Sequence, residues 1–181
     1  MPEFEVEIEG ISPLLQHRFP IEEPEKNEKK VSGSIDYSDE LEKSLYRDKD
    51  GMIYEPSSHI EGSMIKAAAN FQIPGRGKKT YKDLTKAAIF VEPVQIPIEP
   101  QDYEKDVQPV VINRARVRRH RPRFDVWRLK FKIVCLEEDQ LSAVTIEKIL
   151  AHAGKFCGLG DWRPKYGRFK ITKFKVIDDG I

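Results

Sequence analysis

Strict alternation near the start of the chain constrains its fold more than any other feature. From Glu3 to Glu9, Phe4, Val6 and Ile8 take one side of an extended segment, and Glu3, Glu5, Glu7 and Glu9 take the other. That is the period of a strand with one buried face. Two later segments repeat the pattern with opposite charge. Phe124 to Leu136 sets Val126, Leu129, Phe131, Ile133 and Cys135 largely against Arg128, Lys130 and Lys132. Phe169 to Val176 turns Arg168, Lys170 and Lys175 largely outward, and its shift in period between Ile171 and Phe174 indicates a bulge. An acidic strand between two basic ones would satisfy cross-strand pairing, in agreement with the strand order of the fold inferred below.

Helical periods separate these strands. Pro56-Ser57-Ser58-His59-Ile60-Glu61 reads as a helix start, with Ser58 as N-cap and Glu61 completing a capping box. Ile60, Met64, Ala67, Ala68 and Phe71 then share one face. Ser142 to Phe156 is a second helix, striped by Ile146, Ile149, Leu150 and Ala153. Tyr81 to Ala88 is a short helix leading into a strand at Ile89 to Val91, and Asp48-Lys49-Asp50-Gly51 marks a hairpin turn. The resulting order is the βαββαβ pattern of an α+β, ferredoxin-like (RRM-like) core in a single domain spanning 1–181. A long polar loop is expected over 20–44. Prolines 93, 97, 100 and 109 break up residues 92–122, which read as a β-rich insertion between the middle strands.

Charge directs attention to the later part of the chain. The net charge is +1, yet residues 1–60 hold 15 acids and 7 bases, which leaves 15 acids and 24 bases for residues 61–181. Within Asn113 to Arg123 lie Arg114, Arg116, Arg118, Arg119, Arg121 and Arg123, with no acid among them, an electrostatic clamp for phosphates. Gly154 to Phe169 interleaves Gly154, Gly158, Gly160 and Gly167 with Lys155, Arg163, Lys165 and Arg168, and with Phe156, Trp162, Tyr166 and Phe169. Two readings of this stretch stand open. Bare glycine amides beside fixed cations suit a phosphate backbone, with Trp162 and Tyr166 stacking on bases. Alternatively the glycines only turn a helix into a strand, and the aromatic rings plug the core.

Several classes of chemistry find no support. No Walker loop, Gly-x-Ser-x-Gly elbow or dinucleotide fingerprint is present. Cys135 and Cys157 sit in apolar segments without zinc-type spacing, which points to a reducing, cytoplasmic compartment and ordinary buried thiols. No apolar run reaches the length of a membrane span. His59 falls in the first turn of its helix, His120 in the arginine run, and His152 near Cys157 without a third ligand, so no metal or other cofactor is expected. Asp36, Asp39 and Asp48 are the carboxylates most able to hold a metal in a site completed by a neighbour.

At Tyr54-Glu55-Pro56-Ser57-Ser58-His59-Ile60-Glu61-Gly62 and at Gly158 to Phe169 the chain resembles the repeat-associated RNA-binding (RAMP) superfamily of CRISPR systems, in particular its Cas7-like backbone subunits. The first stretch is similar to their Pro-Ser-Ser-x-x-x-Gly helix start and the second to their C-terminal glycine-rich loop. The insertion over 92–122 is placed like their thumb. The resemblance implies that Ser57, Ser58 and Gly62 flank an RNA path, and that Lys155, Gly158, Gly160, Arg163, Lys165, Gly167 and Arg168 contact its backbone. It also implies that the insertion reaches another protein subunit. Asp161-Trp162-Arg163-Pro164 departs from the glycine and small residues usual there. The expectation is a non-catalytic module that binds RNA or another single-stranded nucleic acid in an oligomer or ribonucleoprotein. One alternative is a metal-independent endoribonuclease using His17, and another is a protein-docking module.

Overall fold

A computed structural model describes residues 1–19, 37–112 and 114–177. Its elements, in order, are β1 (Glu3–Gly10), β2 (Leu14–Leu15), α1 (Tyr37–Lys43), β3 (Tyr54–Pro56), α2 (Ser57–Ala68), α3 (Lys82–Ala88), β4 (Ile89–Glu92), β5 (Gln95–Pro97), β6 (Glu104–Ile112), β7 (Ala115–Phe124), β8 (Arg128–Cys135), α4 (Ala143–His152) and β9 (Phe169–Ile177). A π-helical turn at Ala153–Cys157 prolongs α4. The main sheet runs β4-β8-β1-β9 with every pair antiparallel. A second sheet, β2-β7-β6, is built on the β6–β7 hairpin, and β3 pairs with β5. The architecture is α+β.

The alternation at the start of the chain accounts for the layering. Phe4, Val6 and Ile8 of β1 are buried beside Leu129, Phe131 and Ile133 of β8. Over them lie Ile60, Met64, Ala67 and Ala68 of α2, and Ile146, Ile149 and Leu150 of α4. Two alanines on α2 let that helix lie close to its neighbours; it packs against β4 and α4. The outer face of the sheet is a ladder of ions: Lys132 pairs with Glu3 at 3.1 Å, Lys173 with Glu5 at 2.8 Å, and Lys170 with Glu9 at 3.4 Å. Exposed pairs of this kind, screened by water and salt, contribute little to stability. Their larger effect is to cancel the charge of that face.

The expected bulge is present: the register of β9 on β1 shifts opposite Glu7 and Ile8, with Thr172 the extra residue; Lys175 stands opposite Glu5, and Lys173 also reaches that carboxylate at 2.8 Å. Three expectations need correction. No capping box forms at α2. Extended Pro56 precedes it, the Ser57 amide donates to the Val94 carbonyl at 3.0 Å, and the Glu61 carboxylate accepts from the Val91 amide at 2.9 Å. Of the expected loop over 20–44, residues 20–36 lie outside the described residues, and Tyr37–Lys43 is the helix α1. Finally, Phe124 ends β7 instead of starting β8. The chain turns at Asp125 and Val126, leaving Val126 exposed and Trp127 fully buried.

Trp127 explains that turn. Its indole N–H donates to the Ser12 carbonyl at 2.9 Å, and its ring fills the space where a side chain on Gly10 would stand, 2.2 Å from a Cβ built there. The ring also meets Phe169 edge-on at 6.3 Å. Trp127→Ala is therefore expected to lower unfolding stability by about 3–5 kcal/mol in urea titrations. A loss below about 1 kcal/mol would show that the ring is not a core element.

Candidate functional site

The segment between α4 and β9 is shaped by close backbone approach. Gly158, Gly160 and Gly167 have φ of 71°, 71° and 74°. A Cβ would lie 2.3 Å from the Leu15 carbonyl oxygen at Gly160 and 1.8 Å from that of Leu159 at Gly167. Only glycine fits at these two positions. The loop is stitched to the segment after β1: the Asp161 amide donates to Leu15 at 2.8 Å and the Gly167 amide to Pro13 at 2.7 Å. The Gly158 amide donates to Ala153, and the Leu159 amide to Gly167. Of the two readings of the glycines, the geometry favours the turn, since the amides of Gly158 and Gly167 are engaged inside the protein. What the loop offers to a ligand is its cations: Lys155, Arg163, Lys165 and Arg168 are exposed. Lys155 stands 5.3 Å from the exposed ring of Phe156, and Lys165 stands 5.9 Å from Tyr166. Trp162 and Tyr166 are half-buried with centroids 6.2 Å apart.

The arginine run is divided by the period of the strand that carries it. Arg119 pairs with Glu40 at 2.8 Å, Arg121 is buried against Asp161, and Arg123 meets Glu104 at 3.0 Å and Asp125 at 2.8 Å. These odd-numbered arginines are therefore each paired with an acid of the chain, which divides the expected clamp into two faces. Arg116 and Arg118, on the other side of β7, and Arg114 at the turn are exposed. No described residue forms an ion pair with these three. Ser57 is buried, whereas Ser58 and Gly62 are exposed on α2.

Arg121 leads from the hairpin to a polar cleft. Its guanidinium lies 5.0 Å from the Trp162 ring and pairs with Asp161, whose carboxylate is 3.6 Å from His17 Nδ1. Across the cleft, His59 Nδ1 is 2.6 Å from Glu55, a carboxylate with no solvent exposure. Gln16, also buried, donates to Glu55 at 3.0 Å and to the Tyr54 carbonyl at 2.8 Å, and accepts from the Tyr46 amide at 3.1 Å. Gln16, His17, Tyr46, Glu55, His59, Gly160 and Asp161 line a volume of about 120 Å³. Burial pushes the His17 imidazole below its ordinary pKa, and the nearby Arg121 guanidinium adds to this, with Asp161 opposing. Burial, and then the Glu55 charge, hold the Tyr46 phenol above its usual value.

The Glu55–His59 pair escaped the sequence reading. Its only local signal is a spacing of four residues across a strand–helix junction, and Gln16 is 39 residues away from Glu55. Asp161, noted only as a departure from a motif, proves to join hairpin, loop and cleft. Asp48 Oδ1 accepts from the Asp50 and Met52 amides and so closes its own turn; Asp36 lies outside the described residues. Among the described residues no group of three or more His, Cys, Asp or Glu side chains is placed to share a metal ion.

No protein-family model and no curated protein matches this chain. Among solved structures it is similar to a chain in a cryo-EM structure of the Type III-B Cmr-beta bound to cognate target RNA, with a TM-score of 0.59 and 15% identity. The match covers 98% of this chain and 61% of that one, so this chain spans about three-fifths of its neighbour's length. The likeness is one of fold. No helix among the described residues is long and apolar enough to cross a membrane.

The cleft electrostatics can be tested by titration. His17 is expected to titrate below about 6.5 by NMR, and Arg121→Gln to move its pKa upward by removing a neighbouring cation. Because the folded pKa lies below the unfolded one, the unfolded chain binds more protons, and stability is lost as pH falls through about 6.5 toward the folded value. A His17 pKa unmoved by Arg121→Gln would contradict the contact.

Proposed function

We propose that this chain is an RNA-binding module of the RAMP superfamily, Cas7-like, working in an oligomer or ribonucleoprotein complex in the cytoplasm. In this reading residues 1–181 form a single domain on a ferredoxin-like (RRM-like) βαββαβ core: β1, α2, β4, β8, α4 and β9 supply the six elements, and the antiparallel order β4-β8-β1-β9 suits that topology. The thumb-like insertion over 92–122 contains β5, β6 and most of β7, and reaches a neighbouring subunit. The likeness in fold to a chain from an RNA-bound complex supports the assignment.

The observation that carries the reading is where unneutralised charge remains. The open sheet face cancels its own charge, and Arg119, Arg121 and Arg123 are held by acids of the chain. Exposed cations persist at the hairpin turn, on Arg114, Arg116 and Arg118, and along the loop, on Lys155, Arg163, Lys165 and Arg168. Phe156, and the accessible parts of Trp162 and Tyr166, supply rings beside the loop cations, as single-stranded nucleic acid requires. Ser58 and Gly62 flank the path, while Ser57 and the glycines at 158, 160 and 167 shape the protein that supports it.

Salt dependence tests this division. Each single-strand phosphate neutralised contributes about −0.7 to the log–log slope, so replacing Arg114, Arg116 and Arg118 together by Ala is expected to flatten the slope for a single-stranded RNA by about 2. An unchanged slope would remove the hairpin from the interface.

A further inference from the structure

A third group of cations lies outside both the 155–168 loop and the hairpin turn. Arg76, Lys78, Lys79, Lys82 and Lys86 are all exposed, and Asp83 is the one acid among them. No described residue forms an ion pair with any of the five. Folding gains nothing from this arrangement: Lys82 and Lys86 stand four residues apart on α3, where like charges repel. The turn that carries the first three is nevertheless well fixed. The Ile73 amide donates to the Lys79 carbonyl at 2.9 Å, the Lys79 amide to Arg76 at 3.2 Å, and the Tyr81 amide to Phe71 at 3.0 Å. Gly75 and Gly77 have φ of 74° and 61°, yet a Cβ on either would meet nothing within 4 Å. Unlike Gly160 and Gly167, they shape a turn whose outer side is open to solvent.

A row of rings joins this turn to the 155–168 loop. Phe71, at the base of the turn, meets His152 edge-on at 5.3 Å, and His152 meets Phe156 at 4.5 Å. Phe71 packs against the core and His152 is half-buried, whereas Phe156 is 51% exposed, with Lys155 5.3 Å from its ring. Phe156 is thus supported from beneath and bare above. Along α2 and just past its end, Gly62, Lys66 and Asn70 are exposed four residues apart. Burial pushes the Cys157 thiol up, and Lys66 and Arg163 both oppose this, which sets Lys66 beside the loop cations.

We infer that single-stranded RNA leaving the 155–168 loop continues over Phe156 and the Lys66 side of α2 to a second anchor at the 73–80 turn, an inference that rests on the RNA-binding reading. Arg76, Lys78 and Lys79 take its phosphates there, and Lys82 and Lys86 extend the positive potential along α3. A half-exposed ring between two groups of cations suits a strand whose bases are unpaired, because the base stacks while the backbone is neutralised on either side. A duplex keeps its bases stacked on one another and offers Phe156 no free face.

The test measures binding of the full chain to an oligouridylate of about 20 nucleotides, and to an RNA duplex of the same length, over a series of salt concentrations. Replacing Arg76, Lys78 and Lys79 together by Gln is expected to flatten the log–log slope for the single strand by about 2, at about 0.7 per phosphate. The matched variant Lys130→Gln, Lys132→Gln, Lys170→Gln removes the same charge from the outer sheet face and is expected to leave the slope in place. Phe156→Ala is expected to weaken binding of the single strand about tenfold, with no matching loss for the duplex. The replaced cations are exposed and the turn is held by backbone bonds, so an unaltered melting curve is expected for their variant. A slope unchanged by the Arg76, Lys78, Lys79 substitutions, or flattened as much by the sheet-face variant, overturns the second anchor and leaves RNA binding at the loop and hairpin standing. Equal losses for single strand and duplex on Phe156→Ala overturn the single-stranded path. Failure of the wild-type chain to bind RNA overturns both readings.

Discussion

The contact on which the rest of the molecule depends is the backbone-to-backbone approach of the 158–167 loop to the segment after β1. Gly160 lies against the Leu15 carbonyl, the Gly167 amide reaches Pro13, and the Asp161 amide reaches Leu15. Leu14 and Leu15 are simultaneously the strand β2 that pairs with Phe124 and Arg123 of β7. A few hydrogen bonds therefore join the four-stranded sheet, the hairpin sheet and the loop before the last strand. Any side chain at Gly160 or Gly167 would push these layers apart.

The distribution of charge follows from that junction. Asp161, held by its amide, meets Arg121 from the hairpin and His17 from the segment beyond β2. This draws one arginine of the run inward and places one imidazole at the cleft. On the outer face of the main sheet, lysines and glutamates alternate and compensate each other. The net charge is nearly neutral, yet among the described residues exposed cations without an ion pair cluster at the hairpin turn, along the 155–168 loop, and around the start of α3 at Arg76, Lys78, Lys79, Lys82 and Lys86. For a polyanion such clusters matter more than the total, because long-range attraction follows local potential.

The strand pairing was legible because it rests on period and charge. The βαββαβ order places Glu3 to Glu9 between two basic strands, the charges agree with it, and β1 does lie between β8 and β9. The bulge near Ile171 was legible for the same reason. Other features depend on partners distant in sequence. The arginine run looked like one clamp, although the alternation of a strand necessarily splits it into two faces, and the acids that neutralise one face come from α1, from β6 and from the 158–167 loop. Ser58 and Glu61 matched a capping pattern, but Glu61 finds the Val91 amide and Pro56 sets the start of the helix. The cleft was the least legible feature: Gln16, Tyr46, Glu55, His59 and Asp161 are brought together from distant parts of the chain, and of its lining residues only His17 and Gly160 had been singled out as candidate site residues.

The central claim is that RNA lies across the 155–168 loop and the hairpin turn and avoids the open sheet face. Ultraviolet cross-linking of the protein to single-stranded RNA, followed by mass spectrometry of the adducts, tests it most directly. The account predicts adducts at Phe156, Trp162 or Tyr166 and on peptides containing Arg114 to Arg118. Adducts confined to the outer face of β8 and β9, at Lys130, Lys132 or Lys170, would contradict it.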